Sequence, residues 1–326
     1  MKAQALAPET ERKNVPPQQC AAYARTLKRM VDCKTVFTRD FANQGEFDRF
    51  YQVLAECFPL LTARAERLTF GSGCFVYVVR GRNATKNIML MSHHDVVEGG
   101  EGWDTDPFCA VEKNGALFGR GTVDTKTPLF AQLQACEELL REGYGFDGVD
   151  LYIGSSNNEE VCGDGMVLAV EYFKAKGIRF AAVLDEGGAI TTGMVPGVTG
   201  KSAMVAVHEK SRHLYRCVAR RKVKGHGGLN PSSDNAVSRL TAFIQEVEKR
   251  RIYRSSFAPE VRETFAAHAP YMTFPLNVLF GHLGVFAPLV KPIMQRIPQA
   301  RAMLSTSIAF TTIFGGTRED PQIQAR

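Results

Sequence analysis

The sequence predicts an α/β layer sandwich with a largely parallel central sheet, joined to a second, smaller α+β domain. Two observations carry this. Apolar strand-like runs alternate with helical runs between residues 74 and 184, and composition and periodicity change again after about residue 200. At 326 residues and 44% apolar content the chain can bury a real core and is long enough for about two domains.

The elements follow in order. The Pro16-Pro17 pair opens a helix over Gln18 to Val31, and Glu46 to Phe58 forms another that Pro59 ends. Cys74 to Arg80 and Asn87 to Met91 read as strands around the turn-like Gly81 to Lys86. Thr127-Pro128 supplies an N-cap and a proline at the first helical position, and Gly143 stops that helix. Val149 to Ser155 is the next strand and Asp164 to Lys176 the next helix, stopped by Gly177. Ala181 to Leu184 is a further buried strand. Beyond residue 200, Met204 to His208 and Leu214 to Ala219 read as short strands, Asn235 to Arg250 as an amphipathic helix, and Ser305 to Thr312 as a returning strand.

Several function classes lose support from composition. The net charge of +6 and pI near 8.9 invite a nucleic-acid reading. The densest basic cluster, Arg220, Arg221, Lys222 and Lys224, carries no interleaved aromatics, however, and reads as a solvated face. The eight cysteines include no Cys-x-x-Cys pair, which favours reduced thiols in a cytoplasmic protein over a disulfide framework. The N-terminal MKAQALAPETERKN has no apolar stretch of the signal-peptide kind. Tyr271 to Val290 is apolar apart from His282, but prolines and glycines interrupt it, so a buried or surface-docking helical pair is expected rather than a membrane span.

Four segments each place Asp, Glu or His just past a predicted apolar strand: His93 with Asp95, Asp124 in GRGTVDTK, Glu159-Glu160, and Asp185-Glu186. One such residue alone is ordinarily a cap or turn residue. Four at one end of a sheet converge on the same crevice, where carboxylates repel unless a cation neutralises them. Mixed His and carboxylate donors suit zinc, with manganese or cobalt as substitutes. Asp95, two residues after His93, can accept the ring N–H and fix its tautomer, so it is cast as an orienting residue. Consecutive glutamates point in different directions, which allows one to bind metal while the other activates water.

MLMSHHDVVEGGEGWDTDPF, GRGTVDTK, SSNNEEVCGDG and AAVLDEGG, in that order, resemble the metal-site series of the zinc family of carboxypeptidase S, aminoacylase-1, carboxypeptidase G and succinyl-diaminopimelate desuccinylase. NNEEV and LDEGGAI are similar to the carboxypeptidase S branch in particular. The resemblance implies a three-layer α/β/α zinc-peptidase catalytic domain (residues 1–200) and an inserted, ferredoxin-like α+β dimerisation or lid domain (201–316). It implies two zinc ions: His93 and Asp185 on one, Glu160 on the other, Asp124 bridging both. Glu159 would be the general base, and the Asp124–Thr125 peptide would be cis. Asn158 stands where the family often has Asp. His226, in KGHGGLNP, looks like the lid histidine that supports the oxyanion. The other histidines are read as structural.

Past Thr317 the resemblance fails. Relatives continue with a segment carrying a last histidine ligand, whereas residues 317–326 here form a divergent tail. The implied activity is zinc-dependent hydrolysis of the amide bond in small N-acyl amino acids or dipeptides, by a homodimer paired through the lid, with little turnover expected of the 326-residue form. The competing reading is an inactive family member that keeps its dimerisation domain.

Overall fold

The computed structural model describes residues 15–207, 210–211, 213–220, 235–250 and 254–314, and the backbone alone at 189, 225–226 and 322–323. Two compact units part between Gly187 and Gly188, ahead of the composition shift at residue 200.

The first unit holds α1 (Pro17–Val31), α2 (Gln44–Cys57), α3 (Pro59–Arg64), β1 (Glu66–Phe70), β2 (Cys74–Val79), β3 (Lys86–His93), a small hairpin of β4 (Val111–Lys113) and β5 (Ala116–Phe118), α4 (Lys126–Arg141), β6 (Val149–Ser156), α5 (Gly165–Ala175) and β7 (Ala182–Leu184). Prolines sit in the first turns of α1 and α3, where a missing N–H costs no helical bond. The sheet order is β1-β2-β6-β3-β7. β3 runs parallel to both β6 and β7, but β1 and β2 are antiparallel to their neighbours. The sheet is therefore mixed where a largely parallel one was expected. The reason is local: β1 and β2 are joined by a tight turn in which Gly71 and Gly73 take positive φ, and a hairpin reverses chain direction.

Strand periodicity builds the layers. Phe75, Tyr77 and Val79 of β2 face one cluster with Met30, Phe50, Leu54, Phe58, Leu129 and Leu133, from the α1 to α4 side. Val76 and Val78 face the other way, onto Met89, Tyr152, Ala169 and Phe173, with α5. Alternation along a strand buried on both faces thus produces a three-layer α/β/α arrangement. β7 closes one edge of the sheet with Val183 and Leu184 each 56% exposed.

The second unit contains β8 (Ala189–Thr192) paired with β9 (Lys201–Met204), α6 (Ala236–Arg250), α7 (Pro259–His268), α8 (Leu276–Gly281), α9 (Leu283–Met294) and α10 (Pro298–Leu304), and a short ladder of β10 (Gly225–His226) with β11 (Gln322–Ile323). Asn235 accepts the N–H of Ser238 and caps α6. Phe257, Phe265, Met272, Phe280, Leu283, Val290, Met294 and Leu304 form its core. The strands expected at 214–219 and 305–312 are not strands. Leu214 and Tyr215 are 89% and 79% exposed, and alternating apolar residues with no face to bury do not pair. Among the described residues the expected ferredoxin-like sheet is reduced to two two-stranded ladders. The apolar stretch from Tyr271 breaks into the consecutive helices α8 and α9, and among the described residues no helix is long and apolar enough to cross a membrane.

Candidate metal centre

The parallel strands bring their carboxyl ends together. His93 ends β3 opposite Ser156, the end of β6, and Leu184, the end of β7, lies opposite Leu90. The residues just past those ends, His94–Asp95, Asn157–Glu160 and Asp185–Glu186, therefore gather at one edge. Asp124 joins them on the loop before α4. That loop is closed by the Lys126 N–H on the Gly121 carbonyl (2.9 Å) and by the Thr127 hydroxyl on the Thr122 carbonyl (2.6 Å). Gly121 takes φ +96°, and a Cβ there would stand 3.0 Å from Val96 and 3.2 Å from Lys126. α4 starts at Lys126, earlier than Thr127-Pro128 signalled, and the Asp124–Thr125 peptide is cis.

His93 is the buried hub. Its Nε2 lies 3.0 Å from Asp124 Oδ1, 3.3 Å from Glu186 Oε2 and 3.8 Å from Glu159 Oε2. One donor atom each from His93, Asp124 and Glu186 falls within a 4.8 Å span, close enough for a single ion. Nδ1 faces the backbone carbonyl of Asp95 at 3.0 Å. A carbonyl only accepts, so Nδ1 keeps its hydrogen and Nε2 is the nitrogen left to meet a cation. The structure brings Glu186 to His93 and leaves Asp185 apart: Asp185 is exposed, and its carboxylate accepts the Glu186 N–H at 2.8 Å. Glu160 is half-buried and lines, with Asp124, Val97, Trp103 and residues 119–123, a cleft of about 250 Å³.

Asp95 does more than the sequence announced. Its fully buried carboxylate accepts the backbone N–H of Glu159 on Oδ1 (3.1 Å) and of Glu160 on Oδ2 (3.0 Å), while Oδ1 stays 3.4 Å from His93 Nδ1. One side chain thus ties the His93 strand end to the loop that carries both glutamates.

The electrostatics call for a positive charge. Burial disfavours protonation of His93, yet its hydrogen bonds and charge interactions with Asp95 and Glu186 outweigh that and push the ring pKa up to about 11. Glu186 is held below the usual carboxylate range by its bond to His93. Glu159 and Glu160 are raised, first by burial and then by the surrounding carboxylates. The donor set fits a small divalent cation: one imidazole nitrogen and oxygen donors converge where carboxylates otherwise repel.

Three buried residues complete the site, and composition gave little sign of them. Lys126, fully buried, donates to the carbonyls of Met30 (3.1 Å) and Cys33 (2.7 Å) and lies 5.2 Å from the Phe50 ring. Burial pushes its pKa down to about 7. It pins the start of α4, next to Asp124, to the end of α1. His94 stacks on Phe50 at 5.0 Å and bonds Ser155 Oγ at 2.8 Å, and burial holds it well below the ordinary histidine range. Asn158 donates to Asp164 (3.2 Å) and fixes the turn after the glutamates. An Asp there would face Asp164, so the departure from the family pattern is matched by its neighbour. Of the remaining histidines, His268 and His282 bond carbonyls one helical turn back, and His213 is exposed. The His226 side chain and His208 lie outside the described residues.

Residues 89–287 match the sequence profile of peptidase family M20/M25/M40. The chain belongs to this family. Among curated M20 relatives, the N-fatty-acyl-amino acid synthase/hydrolase PM20D1 of Mus musculus is 27% identical over 92% of this chain and 60% of its own length. The probable carboxypeptidase S-like 1 of Dictyostelium discoideum is 26% identical over 72% of this chain and 49% of its own. The chain therefore spans about three-fifths or less of these relatives. Among solved structures, the Saccharomyces cerevisiae di-peptidase Dug1p superposes with a TM-score of 0.55 (14% identity, 94% of this chain, 69% of that one). The M20 family metallo-carboxypeptidase Sso-CP2 of Sulfolobus solfataricus gives 0.53 (17%, 92% and 69%). At these identities the likeness concerns the fold.

Proposed function

We propose that this M20 chain carries an amide-bond hydrolase centre for small N-acyl amino acids or dipeptides, with a zinc ion on His93, Asp124 and Glu186 and with Glu159 as general base. The observation that supports it most is the convergence of His93 Nε2 on three carboxylates, two just past strand ends and one, Asp124, on the loop before α4. A bound zinc supplies Lewis acidity at the carbonyl and lowers the pKa of water. Glu159, 53% exposed beside the buried His93, takes a proton from water and returns it to the leaving amine. Asp95 holds the amides of Glu159 and Glu160 so that their side chains diverge. The cleft beside Trp103 receives part of the substrate.

Three parts of the reading rest on the family resemblance. Asp124 and Glu160 would hold a second zinc, Asp185 would compete with Glu186 for the first, and His226 would support the oxyanion. Homodimer contact is assigned to α6, whose Val237 and Phe243 are exposed. The eight free cysteines support a reducing, cytoplasmic setting.

The test is Glu159→Gln, with zinc measured by atomic spectroscopy and turnover on a panel of N-acyl amino acids and dipeptides. Hydrolysis is expected to fall by about 10²- to 10⁴-fold, the usual contribution of a positioned base, with zinc content unchanged. Loss of zinc along with activity would reassign Glu159 as a ligand.

A further inference from the structure

α9 is apolar on both sides, and only one side is covered. Leu283, Val290 and Met294 are buried in the core of the second unit. At 100° per residue the opposite side carries Val285, Pro288, Leu289 and Pro292, with Ile293 at its flank, all exposed. Val285 is 74% exposed, and Leu289 and Ile293 are 58% exposed. An apolar helix face of this kind needs a partner.

Charge indicates which partner. From residue 264 to residue 318 the sequence contains no Asp or Glu, while Lys291, Arg296 and Arg301 lie on and just after this helix. Lys291 flanks the apolar stripe and is half-buried, and Arg296 and Arg301 are exposed. A second copy seated on the same face would set these cations against themselves, with no carboxylate on α8, α9 or α10 to compensate. An anionic lipid surface offers hydrocarbon for the stripe and negative headgroups for its rim.

Depth follows from the prolines. Pro288 and Pro292 lie inside α9 and lack N–H groups, so the carbonyls of Gly284 and Pro288 receive no helical bond from the residue four positions on. These carbonyls need water or headgroups, which keeps the helix at the interface and out of the hydrocarbon core.

We propose that the outward face of α9 is a docking site for an anionic lipid surface, with the helix lying in the interfacial plane. The reading is independent of the hydrolase assignment. The test is flotation of the whole chain with vesicles of pure phosphatidylcholine and of phosphatidylcholine with about 30% phosphatidylserine. Comparison proteins are Val285→Asp/Leu289→Asp and Arg296→Glu/Arg301→Glu, each checked for native circular dichroism. Wild type is expected to float with the anionic vesicles and much less with the neutral ones. The apolar double variant should lose binding by about tenfold or more, and the charge-reversal variant should lose the anionic preference, each cation near the surface contributing about 1 kcal/mol, or roughly fivefold. The proposal is overturned if wild type floats with neither vesicle, or if both variants float like wild type. It is equally overturned if sedimentation shows a wild-type dimer that Val285→Asp/Leu289→Asp dissolves, since a second copy would then be the cover.

Discussion

Replacing Asp95 by Asn tests whether one buried carboxylate holds the two halves of the site together. In the native chain both oxygens accept a backbone N–H, at 3.1 and 3.0 Å, with no exposure to water. A hydrogen bond to a charged group contributes about 1.5–3 kcal/mol, and a buried N–H left without an acceptor costs about 1–3 kcal/mol. Asn keeps one oxygen, now neutral, and turns an NH₂ toward the other amide. The expected loss is about 3 kcal/mol of unfolding free energy, a large share of the roughly 5–15 kcal/mol typical of a domain. Urea denaturation of the zinc-free chain measures it, and hydrogen exchange at the Glu159 and Glu160 amides should accelerate together. A stability within about 0.5 kcal/mol of wild type, with unchanged exchange at both amides, would refute the assigned role.

Three further outcomes follow from the same geometry. Glu186→Gln should weaken zinc binding by more than the roughly 10- to 100-fold typical of a supporting residue, and Asp185→Asn by less; competition with a chromogenic chelator ranks them, and the reverse order would restore Asp185 as the ligand. Asp124→Ala should remove zinc even with Glu159 and Glu160 intact, because Asp124 contributes a donor atom to the triad; full retention on dialysis contradicts this. Lys126 has a depressed folded pKa of about 7, so between about pH 7 and 10.5 the unfolded chain holds the extra proton and stability contributed at this position rises with pH. In zinc-free protein His93 works in the opposite sense, its contribution falling as pH rises from about 6.5 to 11, so the Lys126 effect is read as wild type minus Lys126→Met, and that difference should climb across the window.

The sequence made the site legible where chemistry is written as residue types at strand ends. His93, Asp124 and Glu159 come together with an acidic residue from the Asp185-Glu186 pair. It could not say which of that pair turns inward, because β7 ends within a few residues and orientation is set by the register with Leu90. Asp95 was legible as a partner of His93, but its bonds to the Glu159 and Glu160 amides depend on a loop folding back across the sheet edge. Lys126 gave no sign of burial, since lysine after a helix start is ordinarily solvated. In the second unit, α6 followed from its amphipathic period, and the structure adds that Asn235, read as its first residue, caps it. The failed strands at 214–219 and 305–312 had alternation without a partner, which a one-dimensional pattern does not reveal.

The position of β7 at the sheet edge sets the order in which the centre comes apart. His93 leaves a strand paired on both sides, to β6 and β7, whereas Glu186 follows a three-residue strand whose described pairing is to β3 alone. Local opening begins where cover is thinnest, so β7 should fray first, swinging Glu186 away while His93 stays fixed. A cation held between them then acts as a clasp on the sheet, slowing amide exchange at Ala182 to Leu184 far more than at Ile88 to Leu90, and metal release should be gated by the breathing of a single short strand.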